Sequence, residues 1–83
     1  MENIRKQVNV IIEFNATTLE ELNVEYGKIN QRIQVGIEKM RESKAFSTKE
    51  IDDMMIYAGD LLSKKTNEKS SSIIKNIREN FEF

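Results

Sequence analysis

Neither cysteine nor histidine occurs anywhere in the 83 residues. Without thiols the fold has no disulfide to staple it, no thiolate to ligate metal and no sulfur nucleophile. Without imidazole it also lacks the commonest metal ligand and the commonest general base near neutral pH. Proline and tryptophan are missing too, and glycine occurs three times. A turn-rich sheet fold is poorly served by such a composition, whereas the abundance of Glu, Lys, Ile, Leu and Met favours helix. The longest uninterrupted apolar run, Met54 to Ala58, is far too short to span a bilayer, so a cytoplasmic, non-membrane protein is the expectation. Charge of one sign is also lacking. Thirteen basic residues balance fourteen acidic ones, and residues 1–44 hold seven of each, so there is no broad basic face to grip nucleic acid.

A chain of this length forms one domain, 1–83, and buries only about 60% of the surface that its unfolded form exposes. A partner or a second copy would add to a modest core. Within the chain the clearest local signal is Ser47 followed by Glu50, a capping box, with Phe46 and Ile51 placed as a hydrophobic staple around it. A helix is expected from Thr48, and Glu50, Asp52 and Asp53 suit the positive end of its dipole. Thr18 and Glu21 form a second such signal. From there Leu19, Leu22, Tyr26, Ile29, Ile33 and Ile37 or Met40 recur at steps of three and four, one face of a helix over 18–42. Gly27 and Gly36 interrupt it, each costing about 1 kcal/mol relative to Ala unless a close approach or a turn requires it.

After Thr48 the apolar face passes through Ile51, Met54 or Met55, Ala58, Leu61 and Leu62, and then lapses. Residues 63–72, "SKKTNEKSSS", carry no large apolar side chain, and the stripe resumes at Ile73, Ile74, Ile77 and Phe81. With neither Pro nor Gly in the gap, a continuous helix over 48–83 is preferred to a hinge, with fraying at Ser70 to Ser72. The short "SKAF" connection makes 18–42 and 48–66 antiparallel neighbours. The expected architecture is therefore all-α, an antiparallel helical hairpin or small bundle. The N-terminal segment 1–16 and the stripe of Ile73, Ile77 and Phe81 pack across it.

Residues 7–14, "QVNVIIEF", carry two periods at once. Val8, Val10, Ile12 and Phe14 alternate with Gln7, Asn9, Ile11 and Glu13 as in a half-buried strand, yet Ile4, Val8, Ile11 and Ile12 also make a helical stripe. A strand there needs a partner that this chain barely supplies. A strand, a helix from Thr18, a turn at Gly27 and a second helix opening at Asn30 is the element order of the ribbon-helix-helix DNA-binding fold, in which two chains pair their single strands. The residues "INQRIQVGIEKM" resemble its second helix, with Ile33, Gly36, Ile37 and Met40 at its apolar and small positions. That resemblance covers about residues 5–42 and implies a dimer with Gln7, Asn9 and Ile11 facing bases and Lys28 and Asn30 near phosphate. A first helix of only Thr18 to Tyr26, a compressed Gly27 turn, and Ile11 and Glu13 beside DNA depart from the pattern, so nucleic acid ranks behind protein as the partner.

No catalytic constellation, cofactor site or metal site is read here. The stretch "EIDDMMIYAGD" lacks the alternating oxygen ligands and closing Glu of a calcium loop, and Tyr57 with Asp60 lacks the third group that would activate a nucleophile. What remains is apolar helix surface. Met54, Met55, Ile56 and Tyr57 form a block wider than one stripe, in which methionine adapts to varied surfaces, and Ile73, Ile77, Phe81 and Phe83 close the chain. Met54, Met55, Tyr57, Ile73, Ile77, Phe81 and Phe83 are the candidate partner-binding residues. The expected function is that of a small non-enzymatic binding protein, a regulator, adaptor or inhibitor, which docks a helix face on a protein partner or on itself. The bias toward Ile, Lys, Asn and Glu suggests a bacterial or phage source. A DNA-binding dimer of antitoxin or repressor type is the second reading, and a self-assembling helical subunit the third.

Overall fold

The computed structural model describes residues 2–81, which form three helices in up-down-up order: α1, Glu2–Ile11; α2, Leu19–Ser43; and α3, Thr48–Phe81. The all-α class and the hairpin of the two long helices agree with the sequence reading. Among the described residues there is no strand.

The helix starts follow their local chemistry. Ser47 N–H donates to Glu50 Oε1 (2.9 Å) and Glu50 N–H to Ser47 Oγ (3.1 Å), the full reciprocal capping box, and half-buried Phe46 packs on the core that holds Ile51. At α2 the box is displaced by one residue. Thr18 Oγ1 accepts from Glu21 N–H at 3.1 Å, but the Glu21 carboxylate reaches back to Thr17 N–H at 3.2 Å instead of to Thr18. Helix α2 closes on Lys44, which takes a left-handed conformation (φ 56°) that lets its N–H bond Arg41 O.

The Glu50 carboxyl lies below its ordinary pKa of 4.5, held there first by the backbone N–H of Ser47 and then by its hydroxyl. A carboxyl whose folded pKa is depressed contributes stability above its unfolded pKa and loses it as pH falls through the folded one. This part of the cap therefore weakens below pH 4.5. Ser47→Ala is expected to cost about 1 kcal/mol and to move the Glu50 titration part of the way back up, since the backbone bond survives. Carboxyl NMR shifts of Glu50 in the two proteins check this; identical titrations would contradict it.

One core runs along the hairpin. Ile29, Ile37 and Met40 of α2 face Ile51, Met54, Ala58 and Leu62 of α3, and Val8 and Ile12 lie across the seam from the third side. A smaller cluster of Ala16, Leu22 and Ile73 closes the far end, and half-buried Phe14 touches both. The molecule is a rod of 58 × 18 × 16 Å with a radius of gyration of 15.6 Å, against about 12 Å for a compact chain of this length.

Three expectations are corrected. The alternation in 7–14 does not form a strand: α1 is helical to Ile11, and Val8 and Ile12, four apart, are its buried positions. Helix α2 passes through Gly27 without a turn, so the two short helices of a ribbon-helix-helix are one continuous helix here. The space around a Cβ at Gly27 or Gly36 is open, and neither glycine has positive φ, so no close approach or turn explains them. Ile77 and Phe81 do not pack on the bundle. Leu22 clusters with Ile73, which leaves Phe81, eight residues further on, beyond the start of α2.

The polar decad 63–72 is helical throughout, Ser70 to Ser72 included. Its missing apolar partners come from the non-helical segment 12–18. There Ile12 and Ala16 are buried and Phe14 half-buried, and Lys65 of α3 donates to the carbonyls of Ile12 (2.9 Å) and Asn9 (3.2 Å). A cation at the C-terminal end of a helix meets its unpaired carbonyls and the negative end of its dipole, so Lys65 caps α1 from another helix.

Candidate functional site

The seven residues marked for partner binding separate on folding. Met54 is 1% exposed and Ile73 equally interior, which leaves them no surface to offer. Tyr57 is half-buried and engaged: Asn9 Nδ2 donates to its hydroxyl and the Arg5 guanidinium lies 5.0 Å from the ring centroid. Met55 is partly exposed on the flank, where Arg41 reaches its sulfur at 3.5 Å. Ile77 and Phe81 are open to solvent, and Phe83 lies outside the described residues.

The residues named for DNA are dispersed. Gln7, Asn9 and Ile11 would share one face of a strand, but on α1 Asn9 points about 200° away from Gln7. Asn9 is bonded to Arg5 O and Tyr57, and Ile11 packs on the core. Lys28 and Asn30, exposed on α2, are likewise 200° apart, on opposite flanks of the helix.

Two residues absent from the candidate set complete a surface. Ile56, 63% exposed, and Ile74, 38% exposed, share the outer side of α3 with Ile77 (44%) and Phe81 (73%). Their separations of eighteen, three and four residues keep them on one stripe, opposite the Met54–Ala58–Leu62 face that meets α2. The intervening members at helical spacing are Asp60, Ser63, Asn67 and Ser70, of which Asn67 and half-buried Ser70 border a groove against Leu19, Leu22 and Tyr26 of α2. Counting only large apolar side chains conceals this line, because its middle is small and polar.

Elsewhere the surface offers little chemistry. No buried polar or charged residue occurs among the described residues, nor any group of three or more Asp and Glu placed to hold a metal ion. Two carboxylates near the start of α2, Glu21 and Glu25, are occupied structurally. Both oxygens of Glu25 accept from Asn15 N–H at 3.2 Å, and Glu21 anchors Thr17. They fasten the 12–18 segment to α2. No described helix is long and apolar enough to cross a membrane. Compared with known proteins, the chain matches no family model, no curated sequence and no solved structure.

Proposed function

We propose that this chain is a small non-enzymatic protein-binding module, a regulator or adaptor acting in the cytoplasm, which engages its partner through the outer face of α3. The observation that carries this reading is the line of Ile56, Ile74, Ile77 and Phe81 on a helix that runs nearly the length of the rod. A single exposed aliphatic residue means little. Ile74, Ile77 and Phe81, at i, i+3 and i+7 on the face turned from the core, form the anchor pattern by which an amphipathic helix docks on another helix or in a groove. Ile56 lies on the same line five turns earlier. A chain with neither thiol nor imidazole, and with its acidic side chains on caps and solvated faces, supports binding over catalysis.

A photo-reactive phenylalanine analogue at position 81, introduced in the cells the protein comes from, tests this. The expected result is a discrete protein cross-link at 81 and none at exposed Val24 on α2, which serves as the control. Equal yields at both positions, or no product at 81, would remove the basis for the reading.

A further inference from the structure

We infer that the partner covering the outer face of α3 is a second copy of this chain, docked antiparallel across a two-fold axis between residues 68 and 69. This rests on the reading of that face as a binding surface and names its occupant.

The face has the geometry of a helix–helix seam. Positions 56, 60, 63, 67, 70, 74, 77 and 81 follow one another at alternating steps of four and three, the spacing that keeps a line of side chains turned toward a neighbouring helix. On a straight helix this line drifts by about 20° per heptad, so two copies cross at a shallow angle, as packed helices commonly do. The line also matches its own reverse. Turned end for end about 68/69, Ile56 meets Phe81, Asp60 meets Ile77, Ser63 meets Ile74, and Asn67 meets Ser70. The two most exposed apolar residues of the stripe thus cover each other at both ends, and small polar side chains let the helices approach in the middle.

Charge chooses the direction. The first half of α3, residues 48–63, carries Glu50, Asp52, Asp53 and Asp60 against Lys49 alone. Residues 64–81 carry Lys64, Lys65, Lys69, Lys75 and Arg78 against Glu68 and Glu79. With the axis at 68/69 the two copies of α3 overlap over 56–81, so Glu50, Asp52 and Asp53 project past the partner helix. Asp60 is the acidic residue of the first half that comes opposite the basic end, whereas a parallel pair would bring Asp60 level with Asp60. Asp60 and Arg78 project to the same flank of the seam and come level across the axis, so each pair of chains brings two such contacts together. Opposite charges arranged this way fix register and orientation.

The exposed area fits as well. The molecule exposes 6332 Å², about 1,200 Å² more than a compact monomer of this mass. A standard interface removes about 800 Å² from each partner. Pairing along α3 would take up most of the excess that the rod shape creates, on an isologous surface of the kind two-fold dimers use.

The test uses the full chain, whose lack of cysteine gives a blank background. Sedimentation equilibrium across the micromolar to millimolar range is expected to show a monomer–dimer equilibrium that weakens as salt is raised. Ile56→Cys and Phe81→Cys, both at exposed sites, are then prepared separately, checked for helicity, and mixed under mild oxidation. A disulfide-linked dimer is expected only in the mixture. Closure within one chain is impossible, because the two positions lie about 37 Å apart on one helix. Asp60→Arg is expected to weaken the dimer by about tenfold, and Asp60→Arg with Arg78→Asp to restore it. Disulfides within each variant alone and no linkage between the two variants on mixing would overturn the antiparallel arrangement. A monomer at every concentration would overturn the second copy as occupant. A cross-link from position 81 to a different protein would then leave the α3 face standing as a binding surface, and no cross-link would remove both.

Discussion

Met54→Ala is expected to destabilise the protein by about 2–5 kcal/mol and to lower its urea midpoint by about 2 M or more, whereas Met55→Ala next to it stays within about 0.5 kcal/mol of the parent. Met54 is 1% exposed, in a cluster with Ile51, Ala58 and Leu62 of its own helix and Ile29, Ile37 and Met40 of α2. Truncation there forfeits the transfer of the side chain from water and leaves a cavity that two long helices cannot easily collapse to fill. Single cores in domains near this size supply only about 3–5 kcal/mol, so the loss is comparable with the whole stability and the variant is expected to be substantially unfolded at 37 °C. Met55 lies one residue, or 100°, around the helix and keeps one flank in water. Urea titrations of both variants followed by circular dichroism decide the matter. Equal costs at 54 and 55 would mean that the α2–α3 seam lies elsewhere.

That contrast shows where the sequence speaks clearly and where it does not. The helix starts at Leu19 and Thr48 were legible because capping is local: Thr18 and Ser47 and their glutamates lie within one turn. The helical hairpin was legible for the same reason, since two periodic faces joined by a short connection have one way to bury themselves. Residues 7–14 were not, because both periods are present and the choice is tertiary. Val8 and Ile12 reach the seam only if the segment is helical, and Lys65, more than fifty residues away, closes the helix end. The block of Met54, Met55, Ile56 and Tyr57 looked uniform in apolarity, and only the angular position of each residue against α2 sorts it into core, flank, outer face and α1 contact. The exposed stripe was missed for a related reason. Serine and asparagine at its centre break an apolar period while continuing a geometric one. The freedom of Phe81 follows from register, for α3 has 34 residues against 25 in α2, and the connection at 44–47 assigns the surplus to the C-terminal end.

Lys65→Met is expected to release α1 while leaving the hairpin folded. Methionine keeps most of the stem that lies along the 12–18 segment and removes only the ammonium, so the substitution isolates the two bonds to the carbonyls of Ile12 and Asn9. Hydrogen bonds from a charged donor contribute about 1.5–3 kcal/mol, and the Ile12 carbonyl loses its donor beside a fully buried side chain. A cost of about 2 kcal/mol is therefore expected. Its distribution matters more than its size. A ten-residue helix is too short to persist by itself, and α1 buries only Val8, with Ile12 just beyond its end. Once the cap is removed, those two side chains must hold the segment against its conformational entropy. Amide exchange is expected to accelerate by about tenfold or more at Val8 to Ile12 and to change little at Ile29, Ile37 and Leu62, as a local opening requires. Uniform acceleration across all three helices would instead make α1 an integral part of one cooperative unit. Unchanged protection in α1 would mean that Val8 and Ile12 suffice and that Lys65 contributes nothing to holding it. The outer face of α3 lies on the side away from α1, so the same variant should associate as the parent does, separating what folds this chain from what it binds.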